Sequence, residues 1–238
     1  NTTAANNTAV GRNALAANTT GTRNIAIGSY ALDASDTEND NLAIGYTAMT
    51  VDTAGGTRNV AVGNYVLDAL TSGDDNAAVG YQAMSANNAG NYNTAVGSYS
   101  LDANTTADSN TAVGYNALTA NTTGATNVAV GSSALQTNIT TSYNTAVGHE
   151  SLKTNIAAEN TAVGYRSLYL NTTGAENVAL GERALTANTT ASNNTALGRI
   201  SMFANTTGAN NTAVGNNSLR TNTTGASNVA VGYKALYT

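Results

Sequence analysis

An all-β parallel solenoid is the fold class that this sequence predicts, and three observations predict it. A five-residue phrase, plainest at Asn110-Thr111-Ala112-Val113-Gly114, recurs fourteen times. Eleven of the thirteen glycine-to-glycine intervals are 17 residues, the others being 18 (Gly45 to Gly63) and 16 (Gly148 to Gly164). Within each copy the apolar positions do not recur at helical spacing, and a glycine, joined in seven copies by an Asn-Thr-Thr stretch, breaks the chain at the same places. Helix does not survive such interruptions, whereas short strands between turns do. A fixed short period of this kind marks stacked coils.

Each element follows from the columns. Numbering every repeat from its glycine at position 0, position −4 is Asn and position −2 is Ala in all fourteen copies. Position −1 is Val, Ile or Leu, position +4 is Leu or Met, and five copies read Asn-Thr-Thr-Gly from +7, with two more reading Asn-Thr-Thr-Ala. The reading is two short strands per coil, at −3 to −1 and +2 to +6, with turns at the glycine and at Asn-Thr-Thr-Gly. Stacked in register, about 14 coils of 17 residues form a β-roll with a coil spacing of about 4.8 Å, a rod roughly 60 Å long. The Asn column, represented by Asn24, Asn41, Asn59, Asn76, Asn93, Asn110, Asn127 and Asn144, is read as a structural ladder, each amide bonding the next coil. The length changes fall near Asp52–Thr57 and Asn155–Glu159, in the second turn. No composition break divides residues 1–238, so one continuous array is expected.

The first strand has two apolar faces. One holds the invariant Ala at −2; the other holds −1 and −3, and neither ever carries a charge. One face can look into the coil toward Leu at +4, leaving the other as an uncovered apolar stripe. The chain is therefore expected to oligomerise along its axis.

Bulk properties narrow the function classes. The net charge of −5 speaks against a nucleic-acid partner, which needs clustered Lys and Arg. No apolar run is long enough for a membrane span, so no membrane insertion is expected. Cysteine and proline are absent, which removes thiolate sites and keeps every backbone N–H available for ladders. The chain opens with Asn1-Thr2-Thr3, without Met, and is expected to be a fragment of a longer fibre.

The repeat is similar to a known one. Asn24-Ile25-Ala26-Ile27-Gly28-Ser29-Tyr30-Ala31 and Asn41-Leu42-Ala43-Ile44-Gly45 resemble the head repeats of trimeric autotransporter adhesins, the YadA-like heads. Related repeats occur in bacteriophage tail fibres. The resemblance covers essentially the whole chain and implies a left-handed β-roll, a homotrimer and attachment at a cell or virion surface. The coil departs from the adhesin head in carrying an added Asn-Thr-Thr-Gly turn, which leaves bacterial adhesin and phage fibre both open.

Candidate chemistry was weighed residue by residue. His149 is the single histidine, so no His-based triad or His-metal cluster can be assembled, and His149-Glu150 reads as a solvated surface pair. Asp33, Asp36, Glu38 and Asp40, with Asp74-Asp75, lack the spacing of a calcium loop and read as solvated acidic turns. No catalytic residue, metal or cofactor is assigned. Tyr30, Tyr46, Tyr65, Tyr81, Tyr99 and Tyr115 occupy +1 or +2 in consecutive coils and are the candidate surface-binding residues, for a carbohydrate or host-surface receptor. Covering a solenoid face is the preferred account of them. Thr at +8 and +9, as in Thr105-Thr106 and Thr172-Thr173, raises ice binding as the rival function, and many Asn-Thr-Thr triplets are formal glycosylation sequons. Turn chemistry accounts for both. The resulting expectation is a non-enzymatic, extracellular or virion-surface structural fibre.

Overall fold

A computed structural model describes residues 3–50 and 56–237. The regular elements among them are three-residue strands occupying positions −3 to −1 of every repeat. The chain divides into two compact units, residues 1–123 and 124–238. In the first, Thr8–Val10, Ile25–Ile27, Leu42–Ile44, Val60–Val62, Ala77–Val79, Thr94–Val96 and Thr111–Val113 pair consecutively and in parallel. In the second, the same holds from Val128–Val130 through Thr145–Val147, Thr161–Val163, Val178–Leu180, Thr195–Leu197 and Thr212–Val214 to Val229–Val231. The fold is the parallel β-solenoid that the period predicts.

Register is kept through both irregular repeats. Leu42 pairs with Val60 across the 18-residue interval, and Thr145 with Thr161 across the 16-residue one. The missing residue can be located: most second turns close with the Asn at +7 donating to a carbonyl three residues on, as Asn171 does to Gly174. Asn155 instead donates to Ala157, two residues on, at 2.6 Å. The deletion sits in the turn, as expected. The extra residue of the longer repeat, expected near Asp52–Thr57, falls largely outside the described residues.

The second predicted strand does not form. Positions +2 to +6 are a run of turns, because the residues at +2 and +4 both adopt positive φ, as at Tyr30 (61°) and Leu32 (47°). Left-handed backbone costs an L-residue about 1–2 kcal/mol and is incompatible with an extended strand. The segment is still laddered coil to coil. The +2 amide donates to the +1 carbonyl of the preceding coil (Tyr30 to Arg12, 2.9 Å), and the +4 amide to the +3 carbonyl of the following one (Leu32 to Ala48, 3.0 Å). Cross-coil bonds and burial hold the unfavourable dihedrals in place.

The core is thin and half polar. Each coil contributes the −2 Ala, the small residue at +3 and the +4 Leu or Met. Leu67, Leu101, Leu118, Leu135, Leu168 and Leu185 are fully enclosed. Asn side chains fill the rest of it. Gly28 shows why the repeat ends in glycine. Its φ is 137°, and a Cβ there would lie 2.1 Å from the carbonyl oxygen of Gly45 in the next coil. Only a residue without a side chain allows the coils to stack that closely.

Candidate functional surface

The predicted asparagine ladder exists, with a more specific bonding pattern than a chain of amides. The side-chain oxygen of Asn76 accepts the backbone N–H of Asn93 at 3.0 Å, and that of Asn93 accepts the N–H of Asn110 at 2.9 Å. The same bond links Asn24 to Asn41, Asn41 to Asn59, Asn59 to Asn76 and Asn127 to Asn144. The side-chain nitrogen meanwhile donates to the carbonyl at +10 of its own repeat, as Asn93 does to Ala107 at 2.8 Å. One buried side chain thus satisfies a donor in the next coil and bonds an acceptor in its own turn.

A second ladder was not foreseen. The Asn at +7 is fully buried in most coils, and its amide donates both to the Asn one coil back (Asn104 to Asn87, 2.8 Å) and to the same +10 carbonyl (Asn87 to Gly90, 3.1 Å). Gly90 therefore receives two amide donors, Asn76 and Asn87. The signal was present as the first letter of Asn-Thr-Thr-Gly, but turn chemistry alone explained that letter. Where the column breaks, the bond is lost: Ser35 stands at +7, and the buried Oδ1 of Asn18 has no hydrogen-bond partner.

The strand orientation is settled. Ala at −2 is buried in every coil from Ala26 onward, while −1 and −3 point outward. Ile25, Ile27, Val79, Val96 and Leu180 stand among the exposed large apolar residues at 38–40 % exposure. Along the outward stripe −1 is aliphatic in every coil, −3 is Thr in seven and Ala, Val, Ile or Leu in the other seven, and neither position bears a charge.

The six tyrosines form one continuous contact chain within the first unit. Successive rings meet edge to face, with centroids 5.5–6.2 Å apart from Tyr30 through Tyr46, Tyr65, Tyr81 and Tyr99 to Tyr115. This is the favoured arrangement of aromatic quadrupoles. The alternation between +2 and +1 produces the zigzag, and Tyr46, Tyr81 and Tyr115 remain the most exposed members.

Two electrostatic expectations are corrected. Glu38 is not solvated but buried, its carboxylate accepting from the Ser35 hydroxyl and the Asp36 and Thr37 amides. Burial pushes its pKa up, yet these bonds to the charged form outweigh burial and hold it below the usual range. The neighbouring acids are likewise engaged: Asp40 takes Arg23 and Asp75 takes Arg58, two two-pronged pairs in the −5 column. Glu150 is also no free member of a surface pair. It is buried, bonded to Lys153 at 2.7 Å and Arg166 at 2.6 Å, and its pKa is lowered by both, Lys153 foremost. His149 stays exposed and stacks on Tyr165, centroids 5.7 Å apart. Among the described residues no three His, Asp or Glu side chains converge as a metal site would need.

The threonine column lies in bends, and its +8 hydroxyls donate to the next coil. Thr172 bonds the Thr189 carbonyl at 2.8 Å, Thr189 that of Thr206 and Thr206 that of Thr223.

No protein-family model, curated protein or solved structure matches this chain.

Proposed function

We propose that this chain is a non-enzymatic segment of a surface fibre that assembles with two further copies of itself and serves attachment or spacing at a cell or virion surface. The observation that carries the reading is the outward strand face. It repeats an aliphatic −1 residue coil after coil beside Thr or an apolar residue at −3, has no charge anywhere, and leaves branched aliphatic side chains well exposed. An apolar stripe of this regularity calls for a partner of matching period, and another copy of the same chain supplies it. The similarity to YadA-like heads points to three copies. Stiffness comes from the ladders, since every coil is hydrogen-bonded to its neighbours within each unit. The tyrosine chain is the exposed aromatic surface open to a carbohydrate or host receptor.

Sedimentation equilibrium at micromolar concentration tests the assembly, with a mass three times 23.9 kDa as the expected result. Val96→Lys combined with Val113→Lys should release monomers that keep the β circular-dichroism spectrum. A stable wild-type monomer overturns the reading. Thermal hysteresis in solution would move the assignment to the threonine columns.

A further inference from the structure

The overall charge of −5 conceals a polar division. Residues 1–123 carry three Arg or Lys against ten Asp or Glu, whereas residues 124–238 carry six against four. The six cations of the second unit are not scattered. Lys153, Arg166, Arg183, Arg199, Arg220 and Lys234 fall one to a coil in six consecutive coils, each at +1, +2 or +5. Only Glu150 and Glu182 share that segment of those coils; Glu159 and Glu176 lie at −5. The same segment of the solenoid that carries the tyrosine chain in the first unit carries a row of positive charge in the second.

The row is also ordered. Arg166 lies over the rings of Tyr165 and Tyr169 at 5.2 and 5.1 Å, and Arg183 over Tyr165 at 5.8 Å. Arg220 lies over Tyr237 at 5.5 Å and Lys234 over Tyr233 at 5.2 Å. Cation–π contact positions the heads of these side chains, and Arg220 also donates from Nη1 to the Tyr237 hydroxyl, leaving its other N–H groups to face a ligand. Arg166 and Lys153 share Glu150, and Arg199 pairs with Glu182. Among the described residues, Arg183, Arg220 and Lys234 have no carboxylate within ion-pair distance.

We infer that this row in the second unit binds an anionic polysaccharide, its cations engaging carboxylate or sulfate groups along an extended chain. A step of one coil, about 4.8 Å, is close to the length of one sugar unit in such a chain, so an extended polymer with an acid group on each unit meets about one cation per coil. Single-stranded nucleic acid fits less well, because it needs an aromatic face in successive steps for base stacking, and the coils of Gly181 and Gly215 carry none at +1, +2 or +5. The acidic first unit of another copy fits less well too, since Asp40, Asp75 and Glu38 are already committed to Arg23, Arg58 and the Ser35 turn. The inference rests on the attachment reading and deepens it by naming a partner class, at residues other than the strand positions −3 and −1 and the six tyrosines of the first unit.

Biolayer interferometry of the full chain on immobilised polygalacturonate and dextran sulfate, with neutral dextran and oligothymidylate as comparison surfaces, tests it. Binding to one or both anionic glycans is expected, the better one identifying the acid group, and it should weaken as salt rises. Replacing Arg183, Arg199 and Arg220 together by Gln should weaken that binding about tenfold or more, while Arg183→Lys with Arg220→Lys retains it. Arg23→Gln with Arg58→Gln, in the first unit, should leave it unchanged. Equal binding to neutral dextran, tighter binding to oligothymidylate, or indifference to the triple replacement overturns the inference. Sedimentation of the same samples keeps the questions apart: an intact trimer that ignores the glycans removes this inference and leaves the fibre reading standing.

Discussion

At the scale of single residues, the molecule rests on side chains that act as backbone. Asn93 accepts the amide of Asn110 and donates to the carbonyl of Ala107, both in buried surroundings. Asn93→Ala should cost about 1–3 kcal/mol in urea unfolding, because the buried amide of Asn110 loses this acceptor while the Ala107 carbonyl keeps only Asn104. Asn93→Asp keeps the acceptor, loses the donor and buries a charge, so it should be no better than Ala at pH 7. Glu38 gives a pH-dependent case. Its folded pKa lies below the unfolded value of about 4.3, so its stabilisation is present above that value and is lost as pH falls through the folded pKa. Glu38→Gln should therefore lower stability by about 1 kcal/mol at pH 7 and flatten the loss seen on acidification below about pH 4.5. Thermal melts between pH 3 and pH 7 would show it, and parallel curves for the two proteins would refute it.

At the scale of elements, the tyrosine chain is a cross-coil element in its own right. Tyr81→Ala removes edge-to-face contacts with Tyr65 and Tyr99 and should cost about 1–3 kcal/mol, whereas Tyr81→Phe keeps both rings in contact and should be near neutral. Chemical denaturation of the two variants separates ring packing from any role of the hydroxyl. This scale also shows what could and could not be read beforehand. The period, the parallel register and the first Asn column were readable, because each is a column whose constancy has one physical cause; which face of the Ala-Val strand looks inward was not, because both faces are free of charge. The second strand was misread: Leu at +4 looks like a strand residue, and nothing local announces that stacking forces Leu32 or Leu101 into left-handed backbone. The +7 ladder was hidden because Asn suits a turn and a ladder equally well. Glu38 was misjudged because its burial depends on the turn folding back so that Ser35, Asp36 and Thr37 donate to it, and Glu150 because Arg166 reaches it from the next coil; a linear pattern of charges reveals neither.

At the scale of the whole molecule, stability is expected to be nearly additive over coils, since each contacts only its neighbours. Excision of residues 81–97, one complete 17-residue repeat, joins Gly80 to Ser98 and restores every column. That shortened chain should fold with the same circular-dichroism signature and a slightly lower melting temperature. Removal of residues 81–88 alone brings columns of different kind against one another and should give a chain that is rapidly degraded by thermolysin. The charge division belongs to this scale as well, because neither half announces it in the total.

The shared +10 carbonyl and the forward-reaching Asn oxygen carry a final consequence. Each glycine-to-glycine module brings a side chain that completes the amide of its successor and an amide completed by its predecessor. A tandem duplication of 51 nucleotides, the coding length of the 17-residue module, therefore arrives already compatible with what flanks it. Unequal recombination between copies can lengthen or shorten the array without a compensating second mutation. Copy number in this gene is consequently a quantity that selection can adjust in whole steps, independently of the outward residues that meet a partner.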